Sequence, residues 1–177
     1  MDPERATPIR LLCLDVDGVL TDGRIVIDAD GRETKIFHVH DGQGIRLWQD
    51  AGHMVAIITS RSSEAVTRRA AELGIEEVHQ GCTNKSDALN AVLEATGCTP
   101  DEVAAVGDDL PDLMMLCEVA MPVAVANAVD EVKRIAAHIT TRSGGQGAVR
   151  ELIEELLRAQ GRWDSLIAAR TTPLHKG

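Results

Sequence analysis

Asp15-Val16-Asp17-Gly18-Val19-Leu20-Thr21 is the stretch that decides how the chain is read. It follows Ile9-Arg10-Leu11-Leu12-Cys13-Leu14, a short and mostly apolar run of the kind that forms a buried strand in a parallel sheet. Asp15 and Asp17 then project from the carboxyl end of that strand, where open α/β sheets place their ligands. Residues two apart on a strand share a face. Two carboxylates held this way need a shared cation, or one must keep its proton. An EF-hand loop starting at Asp15 is excluded, because Val19 and Val26 stand where oxygen ligands would be required.

Working outward, strand-like runs recur at Met54–Ile58, Glu77–Gln80, Val103–Val106, Val119–Val125 and His138–Thr140. Helical patterns lie between them at Gln43–Ala51, Ser62–Leu73, Lys85–Thr96 and Gly147–Gln160, and Gly52, Gly74, Gly97 and Gly161 supply the stops. This alternation predicts an α/β fold, a single Rossmann-like parallel sheet with helices on both faces. One segment breaks it. Arg24–Val39 reads as a β-hairpin flap, with Asp30-Gly31 as the turn and β-branched bulk at Ile25, Ile27, Ile36 and Val39. A two-stranded hairpin alone is marginal in water, so it must pack on the core or on another subunit. The expected organisation is an N-terminal extension over 1–8, one domain over 9–161, and a mobile or subunit-crossing tail over 162–177.

At 177 residues the chain fits one domain. Its net charge of −10 argues against nucleic acid or an anionic membrane as partner. Cys13, Cys82, Cys98 and Cys117 show no C-x-x-C spacing and read as reduced thiols of a cytoplasmic protein. The N-terminus has no signal-peptide layout, and no apolar run approaches a membrane span.

A second acidic group, Gly107-Asp108-Asp109-Leu110-Pro111-Asp112, follows the Val103–Val106 strand. Asp109 can cap the helix opened by Pro111, which leaves Asp108 unexplained. Carboxylates at the ends of two separate strands repel one another unless a hard cation such as Mg²⁺ joins them. Thr59, after a third strand, can donate to a phosphoryl oxygen or cap the next helix. Lys85 opens a helix, where its charge opposes the dipole unless a buried anion is near or the side chain is solvated. Ser143-Gly144-Gly145-Gln146-Gly147 lacks a Walker ending, and is either a flap over a site or a plain connection.

The order of these groups resembles the haloacid dehalogenase superfamily of phosphohydrolases. Asp15–Gly23, the hairpin, Asp41–Ile45, Gln80–Lys85 and Gly144–Glu151 are similar to the family of 3-deoxy-D-manno-octulosonate (KDO) 8-phosphate phosphatases. That resemblance implies a Mg²⁺-dependent, capless, homotetrameric enzyme of lipopolysaccharide sugar synthesis, acting on a small phosphorylated sugar acid. Close relatives act on nonulosonic acid 9-phosphates. It implies Asp15 as nucleophile, Asp17 as general acid and then base, and Thr59 and Lys85 on the phosphoryl oxygens. Mg²⁺ would be held by Asp15, Asp108 and the Asp17 carbonyl, with Asp109 and Asp112 orienting its waters and Lys85. Ser60, Arg61, Arg142, Gly144, Gly145 and Gln146 would contact the substrate. Ser60 stands where family members usually have Gly, and Gln146 where they often have Arg, so Arg61, Arg142 or Arg150 becomes the candidate partner for a substrate carboxylate.

Spacing adds a point of its own. Between Asp17 and Thr59 there is room only for the hairpin and one helix, and between Thr59 and Lys85 for one helix and one strand. No cap domain fits. This disfavours a phosphomutase, which needs a lid to retain its intermediate, and leaves a non-catalytic subunit of the same fold as the rival outside enzymes. Either the substrate is large or neighbouring subunits close the site, and the hairpin's need for burial favours the second.

Overall fold

The computed structural model describes residues 1–171. Six strands form one parallel sheet: β1 (Leu11–Leu14), β4 (Met54–Ile58), β5 (Glu77–His79), β6 (Val103–Gly107), β7 (Met121–Ala124) and β8 (His138–Ile139), in the order β5-β4-β1-β6-β7-β8. The chain runs outward from β1 through β4 to β5, then returns to β6 and runs the other way. The order therefore reverses between β1 and β6, and ligand crevices form at the carboxyl ends of such neighbours.

Helix α2 (Val39–Asp50) packs on α7 (Ala148–Ala159), on α3 (Glu64–Leu73) and on β4. Helix α4 (Lys85–Thr96) packs on α5 (Leu113–Cys117), which in turn touches α6 (Asp130–Ile135), β6 and β7. Between the layers, Leu11 to Leu14 and Val103 to Ala105 have no exposed surface. Burial on both faces explains why these strands read as continuous apolar runs. Trp48 is also fully buried; its indole donates to the Met54 carbonyl at 2.9 Å and His53 stacks on it.

Three sequence expectations are corrected. The hairpin pairs only β2 (Val26–Ile27) with β3 (Glu33–Thr34), and Val39 belongs to α2, whose N-cap His38 accepts from the His40 N–H. Helix α2 thus starts four residues before Gln43. Gly42 and Gly44 weaken its helical pattern, yet a Cβ at Gly44 would lie 3.1 Å from the Arg150 Cα, so the gap in propensity is what lets α2 and α7 meet. Within the expected tail, Trp163–Thr171 is helix α8. It buries Trp163 under the guanidinium groups of Arg150 and Arg158 and packs Leu166 and Ile167 against the core, a short stripe of one turn. The rest of that tail, 172–177, lies outside the described residues. At the other end, α1 (Pro3–Ala6) is capped by Asp2 and buries Ala6.

Candidate active site

Asp15 follows β1, Thr59 follows β4 and Asp108 follows β6, so three adjacent strands deliver them to one rim. A cleft of about 280 Å³ opens there, lined by Asp15, Asp17, Gly23, Thr59, Ser60, Arg61, Lys85, Asp108, Asp109, Pro111 and Asp112. A larger depression of about 470 Å³ lies at the opposite rim, near Arg46, His53 and Thr96, but gathers no comparable cluster.

Lys85 organises the cleft. It is the first residue of α4, and its side chain is 3% exposed. Its Nζ lies 2.7 Å from Asp15 Oδ1 and 2.6 Å from Asp112 Oδ1. Burial opposes the ammonium charge, but the two carboxylates outweigh it and hold its pKa above the ordinary lysine value. The cation at a helix start thus has its buried anions.

Asp112 is fully committed. Its second oxygen accepts the backbone N–H groups of Asp108 (2.9 Å) and Asp109 (3.2 Å), which shapes the acidic loop. Asp109 is exposed and caps that turn through the Leu110 N–H.

Asp15 and Asp108 are left to face each other. Burial first, then the charge of Asp112, raises the Asp15 pKa to about 6 even against Lys85. Burial, then Asp15, Asp112 and Asp109, raises Asp108 to about 7. One oxygen each of Asp15, Asp108 and Asp112 lies within 4.8 Å of the others, and Asp108 Oδ1 is buried without a hydrogen-bond partner. A hard divalent cation fits this donor set: it would satisfy the orphan oxygen and relieve the repulsion. Gly18, at φ +97°, lets the strand turn pass close to this group; a Cβ there would sit 2.0 Å from Asp108 Oδ2.

Asp17 enters from the same turn, but its carboxylate is not in that trio. Its Oδ1 accepts from Lys35 Nζ at 2.5 Å, and its Oδ2 lies 3.6 Å from Arg61 Nε. Glu33 pairs with Arg61 at 2.7 Å and with Lys35 at 3.4 Å. Glu33 and Lys35 escaped the sequence reading. The signal was the period of two: Glu33, Lys35 and Phe37 fall on one face of the hairpin arm and are partly buried, while Thr34 and Ile36 fall on the other and are exposed.

The structure does not bring Arg142, Gly144, Gly145 or Gln146 to the cleft wall. Gly144 and Gly145 pack on the strand-one turn instead: Gly145 N–H donates to the Val19 carbonyl, and a Cβ on Gly144 would lie 1.6 Å from the Gly18 oxygen. These glycines support the loop carrying Asp17 from behind. Gln146 is exposed, and Arg142 lines a separate surface depression beside Arg150 and Glu151. Asp41, from the Asp41–Ile45 motif, is buried and caps α7 by accepting from the Arg150 and Gly147 N–H groups.

Comparisons with known proteins agree with this geometry. The sequence family of haloacid dehalogenase-like hydrolases matches residues 76–153. The chain is 46% identical over 160 residues to 3-deoxy-D-manno-octulosonate 8-phosphate phosphatase KdsC of Escherichia coli K12, covering 90% of this chain and 85% of the relative. The crystal structure of the Moraxella catarrhalis phosphatase of that name, in complex with magnesium, phosphate and KDO, superposes with a TM-score of 0.93 at 41% identity, covering 96% of this chain and 97% of that one. The cobalt-bound Haemophilus influenzae protein gives 0.90 at 37% identity, covering 94% and 97%.

Proposed function

This chain belongs to the 3-deoxy-D-manno-octulosonate 8-phosphate phosphatase family of haloacid dehalogenase-like hydrolases, and on that premise we propose that it hydrolyses KDO 8-phosphate to KDO and phosphate with Mg²⁺. The observation that carries the reading is the Asp15–Lys85–Asp112–Asp108 constellation at the rim. An anionic nucleophile and a dianionic phosphate repel each other, so the site must supply cations before chemistry can start. Lys85 is one. Asp15 and Asp108, with the Asp17 carbonyl oxygen, would hold Mg²⁺, which when bound neutralises charge on the phosphoryl oxygens.

Asp15 attacks phosphorus, forming an aspartyl-phosphate as the bond to the sugar oxygen breaks. Asp17 gives its proton to that oxygen, then takes one from the water that hydrolyses the acyl phosphate. Splitting the displacement in two makes each step easier. Thr59 and Lys85 hold phosphoryl oxygens, while Asp112 and Asp109 keep Lys85 and the acidic loop in place. Ser60 and Arg61 line the cleft, and Arg61 is the candidate partner for a substrate carboxylate.

Residues 9–161 form the catalytic unit in this reading. Exposed Ile25, Ile27, Ile36 and Val39 on and beside the hairpin support a homotetramer in which neighbouring hairpins cover one another. The family likeness supports a place in lipopolysaccharide sugar synthesis in the cytoplasm; among the described residues no helix is long and apolar enough to cross a membrane.

Phosphate release over a panel of sugar phosphates tests the proposal. KDO 8-phosphate should give the highest kcat/KM, at least about tenfold above hexose phosphates, with loss of turnover in EDTA. A higher value for a nonulosonic acid 9-phosphate would reassign the substrate, and no turnover on any member would leave the non-catalytic alternative.

A further inference from the structure

We propose that Lys35, on the hairpin, is a positioning residue for Asp17, setting which of its two oxygens handles the proton. The inference rests on the reading of Asp17 as general acid. Lys35 is 3% exposed in its side chain, and a buried ammonium is costly unless paired. Its partners are Asp17 Oδ1 at 2.5 Å and Glu33 at 3.4 Å. The other Asp17 oxygen, Oδ2, is buried with no hydrogen bond. One oxygen is held by a hydrogen bond, while the other makes none and has Arg61 Nε 3.6 Å away; that second oxygen is the one uncommitted enough to deliver a proton to a departing sugar oxygen.

Asp17 needs such a tether. It sits in the turn leading to Gly18, at φ +97°, outside any helix or strand that would fix its rotamer. Lys35 arrives from 18 residues away on the strand arm whose outer face shows Ile36. Whatever covers that outer face therefore also steadies the acid.

The test compares two substrates in Lys35→Met and Lys35→Arg. A sugar alkoxide leaves poorly and needs its proton; p-nitrophenolate leaves without one. In Lys35→Met, kcat on KDO 8-phosphate should fall about 30- to 100-fold, with KM within about threefold. The first-turnover burst with p-nitrophenyl phosphate should stay within about threefold, and Lys35→Arg should recover to within about tenfold of the parent. Adding Lys35→Met to Asp17→Asn should cost nothing further, as expected for residues acting as a unit.

Equal losses on both substrates, or an Arg variant as impaired as the Met variant, would show a structural role only and overturn the proposal. So would an unimpaired Lys35→Met beside an inactive Asp17→Asn. Full turnover by Asp17→Asn would instead overturn the general-acid reading itself. Light scattering and thermal melts accompany each variant. If Lys35→Met does not assemble as the parent does, Lys35→Gln takes its place under the same criteria.

Discussion

The carboxyl rim of the sheet and the hairpin beside it solve opposite problems. At the rim, Asp15, Asp108, Asp112 and Lys85 are charged yet largely withdrawn from water, and each is fixed by a strand end, a helix start or a backbone N–H. In the hairpin, Ile25, Ile27 and Ile36 are apolar yet exposed, on or beside strands only two residues long. The rim is electrostatically incomplete and calls for a cation. The hairpin is hydrophobically incomplete and calls for a surface. The contrast teaches that the charged groups for chemistry meet within one subunit, while enclosure of the site falls, in the proposed assembly, to contacts between subunits. Lys35 joins the two.

Changes at the rim should act on chemistry, and the largest effect is expected from Asp15→Asn. Phosphate release should fall by at least about 10⁴-fold, as when a covalent nucleophile is lost. A variant retaining a tenth of parental turnover would break the assignment. Lys85→Met comes next. It strands two buried carboxylates, so it should lower turnover by about 10²-fold or more and also destabilise the fold by about 3 kcal/mol in denaturant titrations. Loss of activity at unchanged stability would mean that Asp15 and Asp112 do not depend on it.

A smaller effect links pH to the metal. Asp15 is raised to about 6 and Asp108 to about 7, above their unfolded values near about 4. The folded chain without metal therefore holds protons that the unfolded chain releases. The stability these groups contribute is present in acid and lost as pH rises between about 4 and 7. A divalent cation competes with those protons. Mg²⁺ should raise the melting temperature more at about pH 8 than at about pH 5; an equal shift at both would place the ion elsewhere.

The hairpin should respond differently. Ile36→Asp removes no contact from the subunit core, so the change in subunit stability should stay within about 0.5 kcal/mol. Light scattering should nonetheless show smaller assemblies. An unchanged mass with Ile36→Asp would move the interface away from the hairpin.

The same contrast governs what the sequence discloses. Strands β4 and β6 and helix α4 are legible almost to the residue, because burial on both sheet faces and glycine stops leave local marks. The meeting of Asp15 with Asp108 is legible too, since both follow apolar runs that parallel topology aligns. Helix α8 is not, because its apolar stripe of Trp163, Leu166 and Ile167 lasts a single turn and its ring is covered by two guanidinium groups from distant α7. Nor is the seat of Gly144 and Gly145, whose backbone fit against Gly18 and Thr21 is a long-range contact. Lys35 lay hidden for a third reason: a hairpin read for its β-branched outer face conceals what its inner face carries.

The central claim is that Asp15 and Asp108, far apart in sequence, share one divalent ion. Anomalous diffraction from crystals soaked in Mn²⁺ reads this without reference to turnover. The account predicts one peak in contact with both carboxylates. A peak touching only one of them, or lying outside the cleft, would contradict it.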